Sequence, residues 1–189
     1  FDSNYNSYGA YPDVRGTYPT LYEQTTETDA PSGGNDGGST GEAGEYEPQN
    51  ITWTLGTKAY DGTSEGTQAQ KGTVNGVSVN NMLKLGTGSL TGDAVLHVPA
   101  GTTKIGFYCV AWKGKTAQVK FSIGGTEVTT ISPTANNGAA GNPPYTMTVT
   151  DSDWYEVSMP STAAADVKIE TLDSANGRVI FIGLKAITE

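Results

Sequence analysis

Thr103-Lys104-Ile105-Gly106-Phe107-Tyr108-Cys109-Val110-Ala111-Trp112, followed after Lys113-Gly114 by Lys115-Thr116-Ala117-Gln118-Val119-Lys120-Phe121-Ser122-Ile123, is the stretch that decides the fold. In the first run Ile105, Phe107, Cys109 and Ala111 alternate with Gly106, Tyr108, Val110 and Trp112, so both faces are apolar and the strand is expected at the centre of a sheet. In the second run Ala117, Val119, Phe121 and Ile123 alternate with Thr116, Gln118, Lys120 and Ser122, the pattern of a half-buried strand. Gly114 can take the positive φ that a tight reversal between the runs needs, and Gly124-Gly125 can do the same before the next run at 126–132. Three consecutive antiparallel strands are therefore expected here.

Outward from this stretch the same text continues: short runs rich in Val, Ile, Thr and aromatics, separated by Gly, Asn, Asp and Pro. Strands are expected near 50–55, 73–79, 82–85, 92–98, 103–112, 115–124, 126–132, 145–150, 153–159, 165–171 and 178–187. Asn176-Gly177 is a strong turn signal between the last two. No segment carries a helical period. The reading is an all-β body over residues 50–189, a two-sheet antiparallel β-sandwich of jelly-roll-like design.

Residues 1–49 are a different material. They hold nine acids (Asp2, Asp13, Glu23, Glu27, Asp29, Asp36, Glu42, Glu45, Glu47) against the single base Arg15, which accounts for eight of the nine net negative charges. They also hold six of the ten tyrosines, more than a purely solvating tail would carry. Tyr11-Pro12 and Tyr18-Pro19 favour extended backbone. Residues 30–44 have no large apolar side chain to offset the entropy of ordering, and read as a Gly-rich linker. The division is thus 1–49, a Tyr-rich acidic arm and linker, and 50–189, the sandwich domain.

Charge and length exclude some classes of function. A net charge of −9 with no basic stripe excludes phosphate-backbone binding, so no nucleic acid is expected. The longest apolar runs, 105–112 and 179–184, are strand-sized and far short of the ~20 residues of a membrane helix. A start at Phe1 rather than Met points to removal of a leader and export, with a secreted or cell-surface location. Cys109 is the only cysteine, so no internal disulfide forms, and it reads as a buried small hydrophobe.

Three segments carry a family likeness: Val98-Pro99-Ala100-Gly101 running on through Trp112-Lys113-Gly114-Lys115-Thr116-Ala117, then Pro144-Tyr145-Thr146-Met147-Thr148-Val149-Thr150-Asp151-Ser152-Asp153-Trp154-Tyr155-Glu156-Val157, then Arg178-Val179-Ile180-Phe181-Ile182-Gly183-Leu184-Lys185-Ala186. Together they resemble β-sandwich modules, galactose-binding-like or jelly-roll, of secreted and cell-surface proteins from Gram-negative gut bacteria. The likeness covers about residues 50–189. It implies an extracellular domain that accompanies carbohydrate use or adhesion, and it carries over no catalytic residue.

Reactive chemistry has few candidates. The only histidine, His97, lies on the opposite strand face from Leu96 and Val98 and reads as a hydrogen-bonded or solvent-facing residue rather than a catalytic base. One Cys and one His cannot make the usual zinc set. Asp151 and Asp153 could form a hydrolytic carboxylate pair or a calcium loop, but adjacent acids at a strand start usually close a turn. No catalytic residue, cofactor or metal is expected. Asn50-Ile51-Thr52 matches a glycosylation acceptor. Exposed aromatics remain: of Trp53, Tyr60, Tyr108, Trp112, Tyr145, Trp154 and Tyr155, the glycan-facing candidates are Trp112, at an expected hairpin tip, and Trp154 and Tyr155, which alternation sends to opposite faces.

Two functions are expected from these features. The first is a non-catalytic structural subunit of an extracellular assembly or filament, a homo-polymer in which Tyr5, Tyr8, Tyr11, Tyr18 and Tyr22 of the arm anchor on a neighbour's sandwich by strand addition. The alternative is a surface-tethered carbohydrate-binding or adhesion module with a glycan as its partner. An enzyme survives only as a two-carboxylate hydrolase at Asp151 and Asp153.

Overall fold

Alternation along residues 104–111 is resolved by burial on both sides: Ile105, Phe107, Cys109 and Ala111 enter one apolar cluster, and Val110, with Trp112 beyond it, enters another. A computed structural model describes residues 49–65 and 70–188. The tyrosines expected to anchor assembly, Tyr5, Tyr8, Tyr11, Tyr18 and Tyr22, lie outside the described residues.

The described residues form an all-β body. Its strands are β1 (Thr52–Leu55), β2 (Ala59–Tyr60), β3 (Gly72–Val74), β4 (Val77–Val79), β5 (Leu83–Leu85), β6 (Asp93–Val98), β7 (Lys104–Ala111), β8 (Val119–Ile123), β9 (Thr126–Ile131), β10 (Tyr145–Met147), β11 (Trp154–Ser158), β12 (Ala165–Thr171) and β13 (Val179–Ile187). Two five-stranded antiparallel sheets, in the orders β1-β6-β12-β8-β9 and β11-β7-β13-β5-β2, make the sandwich. A small third sheet, β10-β3-β4, includes one parallel pair, β10 with β3.

The main core lies between the two large sheets. Phe107, Phe121 and Phe181 meet there with ring centroids 5.3 to 6.4 Å apart, all essentially without solvent contact. Each such ring contributes roughly 1.5–3 kcal/mol through burial. The second cluster lies on the other face of β7 and β13, where Val110, Ile180 and Ile182 pack against Val74, Val79, Met82, Tyr145 and Met147 of the third sheet and its flanks. β7 and β13 are therefore covered on both faces, which is why their text is continuously apolar.

The expected hairpin between β7 and β8 does not form. Lys115 N–H does donate to Trp112 C=O at 2.9 Å, and Gly114 has φ +68°, so the tight turn is present. The chain then crosses to the other sheet, because both ladders of β7 are occupied by β11 and β13. β8 pairs with β12 and β9 instead, so the expected hairpin at Gly124-Gly125 is present. The single strand expected at 73–79 is a hairpin, reversed at Asn75 (φ +49°) and Gly76 (φ +80°).

β13 shifts register between Ile182 and Lys185, at Gly183 with φ +65°. The extra residue changes the phase of the strand. Val179 and Phe181 face the main core before the bulge, and Leu184 faces it after. The chain entry is fixed there too: the N–H groups of Asn50 and Ile51 donate to Leu184 C=O, and Asn50 Oδ1 accepts Ala186 N–H at 2.7 Å.

Candidate binding cleft

The register of the second sheet lines up four outward side chains. Tyr60 on β2 stands opposite Lys84 on β5, and Arg178, just ahead of β13, stands opposite Trp112, just past β7, whose N–H donates to Arg178 C=O at 3.0 Å. Because Leu83, Leu85 and Val179 point into the main core, Lys84 and Arg178 are turned to the opposite face by simple alternation. Across neighbouring strands the order is Trp112, Arg178, Lys84, Tyr60. Tyr145 of β10 and the 141–143 loop close the far side, leaving a cavity of about 230 Å³.

Within it the two cations are held against rings. The Arg178 guanidinium lies 4.7 Å from the Trp112 ring centre, and Lys84 Nζ lies 4.7 Å from that of Tyr60 and 5.8 Å from that of Trp112. Tyr145 meets Trp112 edge to face at 5.9 Å. Lys84 is only 7 % exposed, and its ammonium donates to Gly86 C=O at 3.1 Å. Burial, aided by the charge of Arg178, brings the Lys84 pKa down to about 8. Burial pushes the Tyr145 phenol up to about 12 against the opposing pull of Arg178, so this hydroxyl keeps its proton and can donate. Arg178 Nε is buried without a hydrogen-bond acceptor. Among the described residues no Asp or Glu forms an ion pair with Lys84 or Arg178.

Trp112 is in this cleft but not at an exposed tip. It is 9 % exposed, because the chain turning toward the other sheet draws its ring under the third sheet. Trp154 and Tyr155 face opposite sides of their sheet and lie away from the cleft. Tyr155 packs beside Phe107 at the edge of the main core, with its hydroxyl 3.4 Å from Ser132 C=O. Trp154 lies on the outer face over Gly106, where a Cβ would come within 2.5 Å of its ring, and it meets Tyr108 at 4.9 Å and Lys185 at 5.0 Å.

The remaining candidates have structural surroundings. His97 Nδ1 is 2.8 Å from Asp166 Oδ1, and its Nε2 is 2.8 Å from Thr54 Oγ1, a contact order like that of a nucleophilic relay. The three side chains stand exposed on adjacent strands β1, β6 and β12, where open water screens the pair and the hollow beside His97 and Asp166, lined further by Val98, Pro99, Ala164 and Ala165, is wide open to solvent. Asp153 is buried; its carboxylate accepts Thr150 N–H at 2.9 Å and the Thr134 hydroxyl at 3.2 Å, closing the 3₁₀ turn at Asp151–Asp153, whereas Asp151 is exposed. Asp61 is buried as well. Burial alone would raise its pKa, but hydrogen bonds from the Thr63 hydroxyl, the Trp53 indole and the Thr63 and Ser64 amides hold it below the usual carboxylate range. Cys109 lies in the main core, its thiol pKa pushed up by burial. Among the described residues no three His, Cys, Asp or Glu side chains converge as a metal set.

Lys84 and Arg178 were missed by sequence reasoning. The available signal was a lone cation inside Met82-Leu83-Lys84-Leu85 and another opening Val179-Ile180-Phe181-Ile182, each on the wrong side of an otherwise apolar run.

No protein-family model and no curated protein matches the chain. Among solved structures, a family 61 carbohydrate-binding module in complex with β-1,4-galactotriose is 14 % identical over 77 % of this chain and 92 % of its own, with a TM-score of 0.35. A family 36 module in complex with calcium and xylotriose is 14 % identical over 70 % and 94 %, TM-score 0.34. A family 43 arabinoxylan arabinofuranohydrolase from Bacillus subtilis is 13 % identical over 76 % of this chain and 28 % of its own, TM-score 0.40. These likenesses are too loose to carry a ligand or an activity over to this chain.

Proposed function

We propose that the sandwich is a non-catalytic carbohydrate-binding module of an extracellular or cell-surface protein, and that the cleft between Tyr60, Trp112 and Tyr145 is where it takes its sugar. The observation that carries this reading is the cleft itself: three rings and two long donor side chains converge on one ring-sized space, at the open end of a face otherwise sealed by the third sheet. The half-buried Tyr60 ring offers a surface for the C–H face of a pyranose, while Trp112 and Tyr145 back the cations, and the fixed donors set the sugar's orientation. In this reading the Thr54, His97 and Asp166 trio is a surface ladder and Asp153 a turn cap, so neither supplies a reaction.

The test is a glycan array with the full chain, followed by titration calorimetry on the hits with Tyr60→Ala. Tyr60 is the half-buried ring of the three, so its loss removes a wall without opening the core. The expected result is sugar binding that falls roughly tenfold or more in the variant. Silence across the array at millimolar sugar, or hits indifferent to Tyr60, would overturn the reading.

A further inference from the structure

We infer that the sugar bound in this cleft is an anionic one, whose carboxylate or sulfate group sits between Arg178 and Lys84. The inference rests on the carbohydrate-binding reading and adds the ligand's charge. Two cations on neighbouring strands face the same cavity, and no acid among the described residues neutralises either of them. Such an arrangement is costly in a fold. Taking a charge out of water is offset only by an opposite charge and hydrogen bonds, and apolar side chains at 84 and 178 would simply extend the second core cluster. The chain keeps Lys and Arg at these positions.

The geometry also suits an oxyanion. Stacking on Trp112 fixes the guanidinium plane. A planar fork is the group that meets a carboxylate or sulfate with two parallel hydrogen bonds, and an ammonium beside it adds a point charge. Gly88 leaves room for this fork, since a Cβ there would come within 2.7 Å of an Arg178 Nη atom. Lys84, Arg178 and the protonated Tyr145 hydroxyl make the cleft rich in donors, and no carboxylate among the described lining residues accepts from a neutral sugar's hydroxyls. A volume of about 230 Å³ is of the size of one charged ring.

The experiment is calorimetry with the full chain against trigalacturonate, its methyl ester, a galactose 6-sulfate oligosaccharide, neutral galactotriose and a synthetic peptide of residues 1–48, at low and high salt. An acidic sugar is expected to bind at least roughly tenfold more tightly than its neutral counterpart, to weaken in salt, and to lose that margin in Arg178→Gln. Lys84 is faced by Tyr60 on β2, Arg178 ahead of β13 and Tyr145 on β10, so the margin should also shrink above about pH 8 in the native chain and not in Lys84→Met. Preference for trigalacturonate or for the sulfated sugar supports the inference and tells the carboxylate from the sulfate. Equal binding of acid, ester and neutral sugar overturns it while leaving carbohydrate binding standing. Binding of the peptide with no sugar binding overturns both, as does no binding by any probe. Unfolding curves for Arg178→Gln and Lys84→Met, read alongside, separate loss of the site from loss of the fold.

Discussion

Replacing Lys84 by Met should leave the protein at least as stable at neutral pH, and the advantage should drain away as the pH rises. Lys84 is 7 % exposed, and its pKa is brought down from 10.5 to about 8, first by burial and then by Arg178. The unfolded chain keeps the ordinary value. Between the two values the unfolded state holds a proton that the folded state has released, so the native chain's stability rises with pH through that window and is lowest below it. The full penalty of the charged form is about 3 kcal/mol, and integrating over the titration recovers about 2.5 kcal/mol of it between pH 7 and pH 10. Met matches the unbranched stem but forfeits the hydrogen bond to Gly86 C=O, worth about 1–1.5 kcal/mol, and the contacts with the Tyr60 and Trp112 rings. The variant should therefore be about 1 kcal/mol more stable at pH 7 and less stable than the native chain at pH 10. Urea unfolding followed by tryptophan fluorescence at several pH values measures the difference between the two chains, which cancels every group they share. A difference that stays flat across this range, or that moves the other way, would refute the account of Lys84 as a desolvated cation.

Other substitutions test the frame that holds the cleft. Phe107→Ala removes a ring stacked on Phe121 and Tyr155 and tilted on Phe181, and should cost about 3–5 kcal/mol in the same unfolding assay. Gly183→Ala places a side chain at φ +65° in the bulge that turns Leu184 into the core, and should cost about 1–2 kcal/mol with little effect on sugar binding. Gly88→Ala has no such backbone penalty but crowds the Arg178 fork, so calorimetry should show weakened ligand binding with an unfolding midpoint close to native.

What the sequence made legible was governed by local period. The two-sided apolar run at 103–112 forms the central strand Lys104–Ala111, and the half-buried run expected over 115–124 forms a strand only at Val119–Ile123, where alternation holds through Phe121 and then breaks at the buried Ser122, beside the register shift against β9. Sheet membership was not legible. Whether a turn at Gly114 makes a hairpin or an arch between sheets depends on which ladders of β7 are already taken, and β11 and β13 lie far along the chain. The β3–β4 hairpin is not separable from a single strand by period, because two three-residue strands are each too short to show one, although Asn75-Gly76 between them is a turn signal. The cleft was half legible. Its rings were on view as Tyr60, Trp112 and Tyr145, but only the register of β5, β13 and β7 brings Lys84 and Arg178 beside them.

The two cations bear on function because each level of the fold argues against them. Alternation alone would accept any side chain at 84 and 178 that suits the outer face, and the neighbours on that face are Val110, Ile180 and Ile182. Packing would favour apolar residues there, and electrostatics would favour a nearby acid. Compare Glu170, where Lys120 and Lys168 lie 2.6 and 3.0 Å away on the exposed face of the other sheet: those charges have partners and need no ligand to explain them. At Lys84 and Arg178 local consistency breaks without an opposite charge among the described residues, the only compensation being the Gly86 carbonyl and the Tyr60 and Trp112 rings, and such breaks in natural proteins concentrate where something is bound. A ligand that brings its own negative charge restores the balance. The ligand should accordingly stabilise the native chain far more than it stabilises Lys84→Met, a difference that thermal unfolding with and without trigalacturonate reads directly.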